Sequence, residues 1–113
     1  MQRIDKNTRR SRAVVTGGIV YMGGQVADDW NADIRTQTRQ ALARIDAILT
    51  EAGSSRDRLI SATIWLKDMA DYEGMNEVWD AWIDRDNPPT RACGEVRMAD
   101  DRLLVEIIAT AAV

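Results

Sequence analysis

Between residues 34 and 52 the apolar side chains fall at Ile34, Ala41, Leu42, Ile45, Ile48, Leu49 and Ala52, with Thr38 filling the gap. Steps of three and four put all of them on one stripe of a helix of about five turns. Such a stripe must lie on another layer of the molecule, and this requirement constrains the fold more than any other feature of the chain. Asn31 is the expected N-cap, and Gly53 stands where a left-handed residue would end the helix.

The flanking segments supply that layer. Ala13 to Thr16 and Ile19 to Gln25 are rich in β-branched and apolar residues, and Gly17-Gly18 between them suits a two-residue hairpin loop that needs positive φ. Further on, Ile60, Ala62, Ile64 and Leu66 alternate with Ser61, Thr63 and Trp65, which predicts a strand. A second helix, capped by Asp71, carries Tyr72, Met75, Trp79, Trp82 and Ile83 on one stripe, and Pro88-Pro89 closes the segment. Thr90 to Val96 and Leu103 to Ala111 read as two last strands, joined by the turn-rich Ala99-Asp100-Asp101-Arg102. The expected architecture is one two-layer α+β domain over residues 1–113, a mixed β-sheet with two helices on one face. The other face would carry Ser61, Thr63, Trp65 and alternate residues of the last strands. It is too apolar for a monomer to leave wet, so burial against other subunits is expected.

Composition narrows the function. Fifteen basic against eighteen acidic residues leave a net charge of -3, which disfavours nucleic acid as a partner. Histidine is absent, which removes Ser–His and Cys–His dyads and imidazole metal sites. The single cysteine, the lack of an apolar leader after Met1 and the lack of a membrane-length apolar run point to a cytoplasmic location.

Glu106 interrupts Leu103-Leu104-Val105 and Ile107-Ile108-Ala109 in a strand that otherwise reads as buried. A carboxylate there is either a general acid/base with a raised pKa or an edge or interface carboxylate paired with an arginine, and the residues alone favour the pair. Arg91 and Cys93 share one face of the strand after Pro89-Thr90. An arginine among small residues suits a bidentate grip on a carboxylate, although a rim salt bridge is the commoner use. Cys93, with no histidine to activate it, reads as a small packing residue. Gly23-Gly24 marks a bulge or a close backbone approach. Arg3, Lys6, Arg9, Arg10 and Arg12 surround one acid, Asp5, and read as a solvated strand face or, less favoured, an anion or RNA contact. Trp30, Trp65, Trp79 and Trp82 read as core or interface filler.

At Gly23-Gly24-Gln25, Glu51-Ala-Gly-Ser-Ser55, Lys67-Asp-Met-Ala-Asp-Tyr72, Met75-Asn-Glu-Val78, Pro89-Thr-Arg-Ala-Cys93 and Val105-Glu-Ile107, the chain resembles the RidA (YjgF, reactive intermediate deaminase) family. The resemblance runs from the first hairpin to the C-terminus. It implies a chorismate-mutase-like fold, a homotrimer with clefts between subunits, and hydrolysis of enamines or imines such as 2-aminoacrylate and 2-iminopropanoate to 2-oxo acids and ammonia without metal or cofactor. It also implies roles: Arg91 for the substrate carboxylate, Glu106 for activating water, and the Cys93 backbone N–H and Gly24 as substrate contacts. Gly23 stands where many members have serine, and Arg10 where many have an aromatic residue, as in a subgroup outside RidA proper. From Arg10 the expected imine carries a second acidic group or a larger side chain than that of alanine.

A non-enzymatic trimer that binds 2-oxo acids or acts like a chaperone is the alternative, and an endoribonuclease or translation inhibitor the third. The hydrolytic reading requires the Arg91 guanidinium and the Glu106 carboxyl to share one wet crevice. Their placement on opposite surfaces, or a crevice sealed by packed side chains, would end the case for hydrolysis.

Overall fold

A computed structural model describes residues 1–113. In chain order the strands and helices are β1 (Gln2–Lys6), β2 (Ser11–Thr16), β3 (Ile19–Met22), α1 (Ile34–Ala52), β4 (Leu59–Leu66), α2 (Tyr72–Trp82), β5 (Thr90–Glu95) and β6 (Val105–Ala112). One-turn 3-10 segments precede β4 and α2. The six strands form one sheet in the order β1-β2-β3-β6-β4-β5, antiparallel except for the β4–β5 pair. That pair is parallel because α2 carries the chain back between its two strands. Both helices cover one face, and the 19 Å thin dimension is that of two layers.

The helix α1 forms as its spacing requires, with Leu42, Ile45 and Leu49 no more than 2% exposed against Ile64 and Ile107 of the sheet. Each such side chain contributes about 1.5–3 kcal/mol by leaving water. The N-cap is Asp33 rather than Asn31, two residues later than expected: Asp33 Oδ1 accepts from Thr36 N at 2.9 Å, while Asn31 lies in the preceding turn. Gly53, at φ +77°, ends the helix as expected. Its N–H donates to Thr50 O, and Ser54 N donates to Leu49 O, the paired bonds of a Schellman stop. Gly17 (φ +60°) and Gly18 (φ +77°) make the tight turn between β2 and β3.

Three features depart from the sequence reading. Gln2–Lys6 is a full edge strand paired with β2, though only its Ile4 is buried. Gln25 is not part of β3 but makes an isolated bridge to Ile107. Asp71 precedes α2 without a side-chain capping bond. The last two strands are not neighbours either, since β4 lies between them. Gln37, fully buried on α1, clamps the loops on either side of the core. Its Nε2 donates to the carbonyls of Trp30, Ala32 and Arg102, and its Oε1 accepts from Leu104 N.

Registers assign the faces. Ala62 and Ile64 pair with Ala109 and Ile107 on one side and with Arg91 and Cys93 on the other, so all point toward the helices. Ser61, Thr63 and Trp65 pair with Thr110, Ile108 and Glu106 on the open face, where all are half-buried. The sheet ends differ in character: β1 carries Arg3, Asp5 and Lys6, whereas β5 carries Ala92 and Gly94 between longer side chains.

Candidate functional site

Glu106 stands on the open face beside Trp65. The bridge between Gln25 and Ile107 brings Gly24 against it so closely that a Cβ there would overlap the carboxyl, reaching Cδ at 2.7 Å. This is the close approach anticipated for the glycine pair, and a carboxyl is what approaches. Within the chain Glu106 has no arginine partner: no cation lies within ion-pair distance and no side-chain hydrogen bond reaches it. Burial without a compensating partner pushes its carboxyl above the ordinary carboxylate range. The Gly24 N–H also donates to no acceptor of the chain.

Gly24, without Glu106, also lines a depression of about 330 Å³, together with Arg10, Ser11, Arg12, Gly23, Gln25 and Arg44. Arg10, Gly23 and Gly24, singled out from the sequence, therefore do come together. Arg3, Lys6 and Arg9 take no part in it. Arg12 Nε bonds Asp5 Oδ2 at 2.7 Å and its Nη1 bonds Gln25 Oε1 at 3.0 Å, while Gln25 Nε2 returns to Gly23 O at 2.9 Å. The Arg12 guanidinium holds the Asp5 carboxyl below the usual range.

Arg91 belongs to the other face. Its Nη1 donates to Asn76 Oδ1 at 2.8 Å and its Nη2 to the Tyr72 hydroxyl at 3.2 Å, and the guanidinium sits over the Tyr72 and Trp79 rings. The rim salt bridge is absent, since every one of these partners is neutral. Tyr72 and Asn76 are one helical turn apart on α2, a spacing the sequence displayed, but their tie to Arg91 depends on the β4–α2–β5 crossover. Cys93 is half-buried against the core. Burial raises its thiol pKa despite the neighbouring Arg91, which fits a packing role. Val96 N donates to Leu66 O, so by the period of two the N–H groups of Arg91 and Cys93 turn to the free edge of β5.

The chain therefore holds two half-sites. Arg91 pairs across to Ala109 and Glu106 lies three residues along β6, so strand spacing and rise separate their backbones by about 14 Å, with side chains on opposite faces. Within one chain the expectation of a shared crevice therefore fails: the two groups lie on opposite faces of the sheet, and the case for hydrolysis by a single subunit ends with it. The largest groove, about 480 Å³ between α1 and α2, includes neither residue. No group of three or more His, Cys, Asp or Glu side chains could hold a metal ion, and no helix is long and apolar enough to cross a membrane.

Comparison with known proteins agrees with this fold. Residues 1–113 match the family described as Endoribonuclease L-PSP. A RutC family protein of Haemophilus ducreyi is 41% identical over 111 residues, covering 98% of this chain and 95% of that protein. The crystal structure of an uncharacterized protein from Pseudomonas aeruginosa superposes with a TM-score of 0.95 at 44% identity, covering 98% of this chain and 96% of that one. That of a YjgF family member from Neisseria meningitidis gives 0.94 at 39%, covering 98% and 92%. With the whole length matched, the fold shared and the sequence motifs in order, the chain belongs to the YjgF/RidA family, also described as Endoribonuclease L-PSP.

Proposed function

We propose that the protein hydrolyses enamines and imines of the 2-aminoacrylate and 2-iminopropanoate type to 2-oxo acids and ammonia, in clefts between the copies of a homotrimer. The observation that carries this reading is the half-buried Arg91 guanidinium, which neutral groups hold in place without neutralising it. Such a cation is completed by an anion, and its planar fork suits a carboxylate. The free edge of β5 in one copy would lie against the open face of the next, bringing Arg91 and the Cys93 N–H to the neighbouring Glu106 and Gly24.

In that cleft Arg91 fixes the substrate carboxylate. Glu106, kept basic by partial burial, takes a proton from water as its oxygen bonds to the imine carbon. Attack on the protonated imine, which an enamine becomes by taking a proton on its terminal carbon, gives a carbinolamine that receives the Glu106 proton on nitrogen; the C–N bond breaks, and the hydroxyl proton passes through the Glu106 carboxylate to the departing ammonia as the carbonyl forms. The free Gly24 N–H is placed to hold a substrate oxygen or the water. This chemistry is favoured over RNA cleavage because the chain has no histidine and carries a net negative charge.

Subunit complementation tests the reading. Arg91→Ala and Glu106→Gln should each abolish imine turnover. Oligomers reassembled from equal amounts of the two should recover about a quarter of it, because a cleft drawing its arginine from one variant and its acid from the other is intact. No recovery, or a monomer in equilibrium sedimentation at micromolar concentration, refutes the proposal. Ligand binding without turnover by the wild type would make it a 2-oxo acid binder instead.

A further inference from the structure

Three guanidinium groups converge on the depression that Gly24 lines, and no carboxylate or apolar side chain lines it. Their counter-ions stand outside. Arg44 pairs with Asp28. Asp5 must serve two arginines: its carboxylate bonds Arg12 Nε at 2.7 Å and lies 4.0 Å from Arg10 Nη1, to which it offers only its backbone carbonyl at 2.6 Å. Asp5 adopts φ +47°, a left-handed conformation that aspartate tolerates. Arg12 is further fixed by Gln25, which is 1% exposed and anchored on Gly23 O. Arg10, with 44% of its side chain exposed, is the cation left without a carboxylate of its own.

We propose that this depression is an anion subsite for a second acidic group of the substrate, so that the preferred substrates are 2-imino dicarboxylates. The proposal rests on the deaminase reading above and chooses between the alternatives that Arg10 left open. A larger apolar side chain would meet only guanidinium, amide, hydroxyl and bare glycine backbone, which it cannot desolvate without cost. A carboxylate on one or two methylenes would complete the charge of Arg10. Gly24 joins the two regions, since its backbone lines the depression and abuts the Glu106 carboxyl. Gly23 lines the same depression with bare backbone.

The test uses the full chain and imines generated in situ, the dicarboxylates from acidic D-amino acids by D-aspartate oxidase and 2-iminopropanoate from D-alanine by D-amino-acid oxidase. Imine consumption is followed in competition with semicarbazide. Wild type should favour the dicarboxylates in kcat/KM, and Arg10→Ala should lower that preference by roughly ten- to hundredfold, the worth of one charge-assisted hydrogen bond. Arg10→Lys should retain part of it. Arg39→Ala, in the groove between the helices, should not alter it. An unchanged ratio in Arg10→Ala, or a wild-type preference for 2-iminopropanoate, overturns the subsite and leaves the deaminase reading standing. Calorimetric titration with a non-reacting 2-oxo dicarboxylate separates the opposite case. Selective binding lost in Arg10→Ala, with no imine consumed, keeps the subsite and removes the deaminase. Absence of both binding and turnover removes both.

Discussion

Gly24→Ala isolates the placement of Glu106 from the stability of the fold. The backbone at Gly24 is not in the left-handed region, so alanine is conformationally allowed there, and its entropic effect on the unfolded chain favours folding by about 0.4–1 kcal/mol. The new Cβ, however, stands 2.7 Å from Glu106 Cδ and closer still to Oε2, and ordinary contact begins at 3.4 Å, so Cδ must retreat by about 0.7 Å and Oε2 by more. The obstacle is the end of a flexible side chain, so the retreat costs little stability. It moves the base away from its water, and a misplacement near 1 Å costs about a hundredfold in rate. Gly24→Ala should therefore lower kcat by about 10- to 100-fold while the denaturation midpoint moves by no more than about 1 kcal/mol. At Gly23 a Cβ would lie 3.5 Å from Arg12 O, an ordinary contact, and Gly23→Ala should cost only a few-fold. Ammonia release from an in-situ imine, beside urea denaturation, reads both quantities. A Gly24→Ala protein within twofold of wild-type kcat, or one that loses activity only by unfolding, would refute the argument.

Other perturbations probe the same structure. Arg91→Lys keeps the charge but loses the fork, and Asn76→Ala loosens its seat; kcat/KM should fall about 100-fold in the first and about tenfold in the second, measured in the same assay. Glu106 holds its proton more tightly when folded, so its contribution is intact at low pH and lost as pH rises through the elevated pKa. Glu106→Gln should therefore melt above wild type at about pH 8 and match it below about pH 4; a lower melting point at pH 8 would contradict a desolvated carboxyl. Asp33→Ala should cost about 1 kcal/mol in chemical denaturation and Asn31→Ala less than about 0.5, because Asp33 makes the capping bond.

The stripe on α1, the Gly17-Gly18 turn and the Gly53 stop were legible because each is a local device, settled within a few residues. The cap misled because Asn31 and Asp33 both precede the stripe, and only geometry shows which oxygen reaches Thr36 N. The edge strand β1 carries a single buried residue among charges, so its periodicity is too faint to read. Parity along one strand correctly joined Arg91 to Cys93. It could not relate them to Glu106, because strand order and register are long-range properties. Glu106 itself was legible as an anomaly of burial. The neutral seat of Arg91 was not, since Tyr72 and Trp79 read equally well as core.

The unlike ends of the sheet set how copies can grow together. Arg3, Asp5 and Lys6 guard one terminal strand, and a similar strand adding there would meet charge on charge. The opposite strand presents Ala92 and Gly94 with its backbone donors open, the more adhesive of the two rims. A molecule that is sticky at one rim and repellent at the other cannot extend indefinitely rim to rim, which guards it against growth into a fibre by that route.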